Sequence, residues 1–85
     1  NSARIKCYPN PFTEQITIEI RNPKRSEITV DIYNIAGERI TNLITGISDE
    51  QVDIVWDGTN DKGQKVAPGV YICKMNNLSK KLVAQ

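Results

Sequence analysis

Residues 16–21 read Ile-Thr-Ile-Glu-Ile-Arg, and this stretch decides the fold class because its apolar and polar residues alternate without exception. Successive side chains of a β-strand point to opposite faces, so the pattern gives one buried face and one solvated face. The same alternation returns at residues 28–33, Ile-Thr-Val-Asp-Ile-Tyr, after a break at residues 22–25. Both runs are therefore predicted to be strands that turn one face towards a core.

Outward from these two strands, turn-forming residues punctuate the chain at intervals of roughly ten residues. Five further short strands are predicted, at residues 5–7, 39–45, 52–56, 70–75 and 79–84. The run at 39–45 does not alternate strictly, which indicates a bulged strand or an edge strand. Because every half-solvated sheet must cover its apolar face, we expect an all-β, seven-stranded antiparallel immunoglobulin-like β-sandwich, with a five-stranded closed barrel as the alternative.

The length and charge of the chain limit what it can be. Eighty-five residues, 39% hydrophobic and 25% charged, allow one small domain. We expect this domain to occupy residues 1–85, with residues 1–4 as the end of an upstream linker. A net charge of +1 lacks the basic excess of a nucleic-acid binder, and no apolar run is long enough to span a membrane.

The residue inventory argues against catalysis. Histidine is absent, which removes the commonest general base and the commonest metal ligand. We therefore expect no enzyme activity, no catalytic residue, no metal and no cofactor. Asp57, Asn60 and Asp61 resemble part of a calcium-binding loop, but no glutamate follows to complete it. Successive tight turns require the same residue types, and we expect turns there.

Cys7 and Cys73 are the two thiols of the chain. Each has the strand parity of the expected core positions, so both side chains are expected to point inward. A disulfide between them would close a long loop and would stabilise the domain by roughly 4 kcal/mol. Two free buried cysteines that act as small apolar side chains are the alternative, and the sequence leaves both open.

Five stretches of the chain resemble a known family. Residues 8–12, Tyr-Pro-Asn-Pro-Phe, resemble the motif that opens the type A C-terminal sorting domain of type IX (Por) secretion-system cargo proteins. Residues 29–37, 69–74 and 80–85 are similar to that family's central strand and turn, its Gly-x-Tyr strand and its basic-apolar last strand. Residues 56–69 are similar to a Trp-Asp-Gly loop shared with the Ig-like domain of flagellar hook-capping proteins. The motif residues are Pro9, Asn10, Pro11, Phe12, Gly37, Trp56, Asp57, Gly58, Gly69 and Tyr71.

The resemblance implies a non-catalytic secretion signal fused behind a cargo protein. Its partners would be the type IX translocon, shuttle components and a cell-surface sortase that cuts near or before residues 1–4. The cargo would reach the cell surface or the medium through the periplasm. Recognition would fall on the last strand, at Lys80, Lys81, Leu82 and Val83. Cys7 and Cys73 depart from the apolar residues usual in that family.

Two other functions stay open at this level. One is a passive Ig-like spacer or assembly module of a multidomain extracellular protein, as in the hook-capping type. The other is a small carbohydrate-binding accessory module, which would require an exposed strip of aromatic side chains.

Overall fold

The computed structural model describes residues 2–85 and confirms an all-β sandwich of seven antiparallel strands. The strands are β1 (Arg4–Tyr8), β2 (Ile16–Arg21), β3 (Ile28–Asn34), β4 (Arg39–Ile47), β5 (Gln51–Trp56), β6 (Gly69–Met75) and β7 (Leu78–Ala84). They form one sheet in the order β1-β2-β5 and another in the order β4-β3-β6-β7. The chain thus adopts two open sheets and not the closed barrel. Nowhere in residues 2–85 is there a helix with the length and apolar character of a membrane span.

The core lies between the two sheets, on the faces that the alternation predicted. Its fully buried members on β2 and β3 are Ile16, Ile18, Ile20, Ile28, Val30 and Ile32. Strands β6 and β7 close the core with Tyr71, Cys73, Met75, Leu82 and Ala84. Burying each large aliphatic side chain stabilises the fold by about 1.5–3 kcal/mol, which makes these strands the main source of stability.

The β4 strand is both bulged and at a sheet edge, so the two alternatives for this run hold together. It extends to Ile47, and its register with β3 shifts between the pairs Val30–Ile44 and Asp31–Asn42. The Asn42 side-chain amide donates to Asp31 Oδ1 at 2.8 Å and to the Ile44 carbonyl at 3.1 Å. This amide satisfies polar groups at the irregularity, where two residues on β4 oppose one on β3.

The first strand pairs with one sheet, and the chain that follows it pairs with the other. β1 lies beside β2, and the peptide bonds before Pro9 and Pro11 are both cis. Phe12 then forms a parallel bridge with Ala84 of β7. Arg4, the last residue of the predicted linker at residues 1–4, pairs with Arg21 as part of β1, and Asn1 lies outside the described residues.

Candidate recognition site

The Pro-Asn-Pro-Phe segment holds the outer edge of β7. The Asn10 side-chain amide donates to the Lys81 carbonyl and accepts from the Val83 N–H, both at 2.9 Å. The Phe12 N–H donates to the Val83 carbonyl, and the Gln85 N–H donates to the Phe12 carbonyl, again at 2.9 Å. We call residues 9–12 the edge clamp, because they cover backbone groups of the last strand that would otherwise lack a partner.

Phe12 of the edge clamp packs in an aromatic cluster with two motif residues from distant parts of the chain, Trp56 and Tyr71. The Phe12 ring lies 5.5 Å from the Trp56 ring, and the Trp56 ring lies 5.8 Å from the Tyr71 ring in an edge-on arrangement. All three side chains are buried, and the Tyr71 hydroxyl donates to the Ala67 carbonyl. Such tilted aromatic pairs add about 0.5–1.5 kcal/mol each beyond the area they bury. These motif residues therefore act as core.

The Trp-Asp-Gly loop is held by its own side chains. Trp56 Nε1 donates to the Thr59 carbonyl at 2.9 Å. The Thr59 hydroxyl and N–H both donate to Asp57 Oδ1, and the hydroxyl's hydrogen bond is the main reason that the pKa of Asp57 lies below its usual value. Gly58 has a φ of +75°, a conformation in which a Cβ is strained. The motif thus encodes a loop conformation.

The segment that resembles a calcium loop is a pair of turns. Asn60 Oδ1 accepts from the N–H groups of Lys62 and Gln64, and the Asn60 N–H donates to the Gln64 carbonyl. Asp61 lies 3.8 Å from the Arg39 guanidinium. Within residues 2–85, no group of three or more Cys, Asp or Glu side chains is arranged to hold a metal ion. Asn60 therefore uses its oxygen within the turn.

The four predicted recognition residues differ in their exposure to solvent. Lys80 and Lys81 are exposed, and Val83 is half-buried on the outer face of its sheet. Leu82 is completely buried in the core, so its side chain is not accessible to a partner while the domain is folded. The prediction that a partner reads Leu82 is therefore corrected: inward parity on β7 places it against the opposite sheet.

Two motif glycines lie outside the aromatic cluster. Gly37 closes the β3–β4 turn, where its N–H donates to the Asn34 carbonyl. Gly69 begins β6 and pairs with Ala84. Asn34 Oδ1 also accepts from the N–H groups of Ala36 and Glu38, so the asparagine side chain shapes this turn. Gly69 lies close to the clamped end of β7, whereas Gly37 serves a separate turn.

The two cysteines are free thiols in the structure. Cys73 on β6 is completely buried, and burial raises its pKa to about 12, with the charge of Cys7 as a further cause. Cys7 on β1 is half-buried, and burial raises its pKa to about 11 against the opposing effect of Lys80. Both thiols are therefore protonated at neutral pH and contribute as small apolar side chains.

The remaining aromatic residues do not form a strip. Tyr8 is exposed on β1, where its hydroxyl donates to Glu19, whereas Tyr33 lies on β3 in the other sheet. Tyr8 and Tyr33 therefore do not form the strip on one sheet face that is expected of a carbohydrate-binding module.

Some residues with structural roles were not predicted from the sequence. The Lys65 ammonium donates to the carbonyls of Asp57 at 2.5 Å and Glu14 at 2.9 Å, which ties the Trp-Asp-Gly loop to the segment before β2. Asn22 is buried, and its side-chain amide donates to the Ser26 and Asp49 carbonyls. An asparagine beside a proline signals a turn, but nothing in the sequence identifies the distant carbonyls that these side chains reach.

Comparison with known proteins agrees with this geometry. The family described as the FlgD Ig-like domain matches residues 3–81. Among solved structures, dimeric latent PorU from Porphyromonas gingivalis matches 96% of this chain over 9% of its own, with 27% identity and a TM-score of 0.74. PorZ of the same organism, described as a surface component of the type-IX secretion system, matches 95% of this chain over 11% of its own, with 22% identity and a TM-score of 0.64. No curated protein matches. The chain belongs to the FlgD Ig-like domain family.

Proposed function

We propose that this domain is a non-catalytic C-terminal sorting signal that directs a fused cargo protein through the type IX outer-membrane translocon to the cell surface. The observation that carries the proposal is the convergence of the sorting-domain motifs on the last strand. The edge clamp holds the β7 edge, and Phe12, Trp56 and Tyr71 pack beneath it. The likeness to PorU and the type-IX context given for PorZ support the same reading.

The proposal assigns the domain a set of partners and a route. Translocon and shuttle components bind the folded domain in the periplasm, and a cell-surface sortase acts on the segment before β1. The domain itself supplies no chemistry and no cofactor. Lys80, Lys81 and the exposed backbone of β7 are the features that a partner reads, because Leu82 is buried and the edge clamp covers the end of the strand.

Export of a fusion protein tests the proposal. A reporter with an N-terminal signal peptide is fused in front of residues 1–85 and expressed in a bacterium that has a type IX system. The reporter is expected at the cell surface or in the medium of these cells, and in the periplasm of a strain that lacks the outer-membrane translocon. Periplasmic retention in both strains would reject the sorting role.

The family match also favours a second candidate, a passive Ig-like spacer. A spacer holds its neighbours apart at any position in a longer chain, whereas a sorting signal is expected to act from the end. Moving residues 1–85 between two reporter domains therefore separates the two functions. Equal export from the terminal and the internal position, or equal export without the domain, favours the spacer.

A further inference from the structure

The outer edge of β7 is divided into a clamped half and an open half. Backbone groups of alternate residues point away from the paired strand in an antiparallel sheet. Val83 bonds the edge clamp through both its N–H and its carbonyl, so Ser79 and Lys81 share its outward orientation. The Lys81 carbonyl is bonded by Asn10, whereas the Lys81 N–H and both backbone groups of Ser79 have no partner within residues 2–85. An unpaired strand edge is a template for another strand.

The open half is strongly basic. β1 reads Arg-Ile-Lys-Cys-Tyr and β7 reads Leu-Ser-Lys-Lys-Leu-Val-Ala, so these two edge strands carry four cations and no carboxylate. Glu19 lies opposite Lys6 on β2 and accepts a hydrogen bond from Tyr8. Lys80 belongs to the inner face by parity yet stays exposed at the rim, near Cys7. A molecule with a net charge of +1 thus concentrates positive charge at one edge.

A cleft runs along the same edge. It has a volume of about 330 Å³ and is lined by Ala3, Arg4, Ile5, Leu78, Ser79 and Lys80, which come from the starts of β1 and β7. Leu78 is exposed and Ile5 is half-buried, so apolar surface alternates with the basic side chains. An extended segment with alternating apolar and acidic residues would complement this lining in both properties.

We propose that the open edge of β7, from Leu78 to Lys81, binds an acidic extended segment of a partner by strand addition. The segment bonds the free backbone groups of Ser79 and Lys81, and the carboxylates on its cleft-facing side pair with Arg4 and Lys80, which line the cleft. The edge clamp ends the docking site at Lys81, since the next outward groups are already bonded. The identity of the partner rests on the proposed sorting function, whereas the chemistry of the bound segment is inferred from the open edge of β7 alone.

A titration followed by NMR tests the proposal on the 85-residue domain. The probe is a blocked peptide of alternating valine and glutamate, six residues long, and the control peptide has lysine in place of glutamate. The acidic peptide is expected to shift the amide signals of Ser79 and Lys81 and to slow their hydrogen exchange, with smaller shifts at Ala3 to Ile5. Binding is expected to weaken at least about tenfold when salt rises from about 0.05 to 0.5 M, because exposed charge pairs are screened.

Charge reversal supplies the matched variants. K80E/K81E is expected to abolish the shifts, while K24E/K62E, which changes the same charge at exposed loop positions outside β7, is expected to leave them intact. Signal dispersion of each free variant checks its fold. Shifts spread over other strands, equal shifts with the lysine peptide, or no shifts at millimolar peptide would overturn the inference. If the fusion is exported but the domain does not bind the acidic peptide, this inference alone is rejected. If the domain binds the acidic peptide but the fusion is not exported, the sorting role alone is rejected.

Discussion

At the scale of the residue, single side chains hold the loops that the strands leave between them. Lys65 bonds two carbonyls from different segments, and Asp57 accepts two hydrogen bonds from Thr59. Each such bond contributes about 0.5–1.5 kcal/mol net, and more when one partner is charged. The Trp-Asp-Gly loop therefore depends on polar side chains as well as on the burial of Trp56.

Gly58 and Gly63 form a matched pair for testing this loop. Both have a positive φ, +75° and +77°, but a Cβ on Gly58 would lie 3.3 Å from Lys65 Nζ and 3.5 Å from Phe12 Cε2, whereas a Cβ on Gly63 would meet nothing within 4 Å. We expect G63A to lower the free energy of unfolding by about 1 kcal/mol through the backbone alone. We expect G58A to lower it by about 2 kcal/mol, because Lys65 must also move. Urea unfolding measures both, and equal losses would contradict the role given to Lys65.

The buried thiols make a prediction about pH. Folding raises the pKa of Cys73 to about 12 and that of Cys7 to about 11 from an ordinary value of 9.0, so the folded state disfavours the thiolate. Their contribution to stability is complete below pH 9 and is lost as pH rises towards 11 and 12. We expect the urea midpoint of the protein to fall between pH 9 and 11. C73V, which keeps every other titratable group of the chain, is the control, and an equal fall in C73V would contradict the assignment.

Residue roles could be predicted where they follow from parity, and not where they depend on distant pairing. Ile18 and Val30 are buried because strand alternation puts them inward. Leu82 obeys the same rule, yet the motif resemblance had made it a recognition residue. The partners of Asn10 could not be predicted, because Asn10 and Lys81 are 71 positions apart in the sequence and no local signal indicates their contact.

At the scale of the element, β7 is the strand that several other segments of the chain contact. It pairs with β6 on one side and with the edge clamp on the other, and β1 lies beside its first half. An edge strand with free backbone groups promotes unwanted pairing. The edge clamp and the rim position of Lys80 protect β7 while leaving one short stretch accessible.

Asn10 is expected to control exposure of the β7 edge. N10A removes two hydrogen bonds, so we expect a loss of about 1–2 kcal/mol in unfolding free energy and faster hydrogen exchange at the Val83 N–H. N10D keeps the acceptor for Val83, and its Val83 exchange is expected to stay closer to that of the wild type. The Gln85 N–H, bonded by Phe12, serves as the internal reference. Identical Val83 exchange in the wild type and N10A would show that the clamp does not protect the edge.

Elements were predictable to the extent that their residues alternate. β2 and β3 follow from alternation alone, and β7 begins one residue earlier than predicted because Asn76 and Asn77 suffice for the turn. β4 was ambiguous, since the consecutive apolar residues Leu43 and Ile44 hide the bulge, at which Leu43 has no paired residue on β3. The pairing of β1 with one sheet and of Phe12 with the other could not be read from the prolines between them.

At the scale of the whole molecule, a small chain without histidine and with a net charge of +1 gathers four cations on two adjacent edge strands. The core and the Trp-Asp-Gly loop stabilise the sandwich, and the edge clamp limits which backbone groups of β7 remain accessible. A sorting signal needs such a division, because its carrier must recognise one surface on a fold that is otherwise inert. Export is therefore expected to depend on the charge of the β7 edge and not on charge elsewhere.

Export of charge-reversed fusions measures this dependence directly. The reporter fused to residues 1–85 is compared as the wild type, as K80E/K81E and as K24E/K62E, which carry the same change of net charge. The fraction of reporter at the cell surface and in the medium is quantified against the periplasmic fraction. We predict that K80E/K81E stays in the periplasm while K24E/K62E is exported like the wild type. Equal export of the two variants would contradict the claim that the β7 edge is the recognised surface.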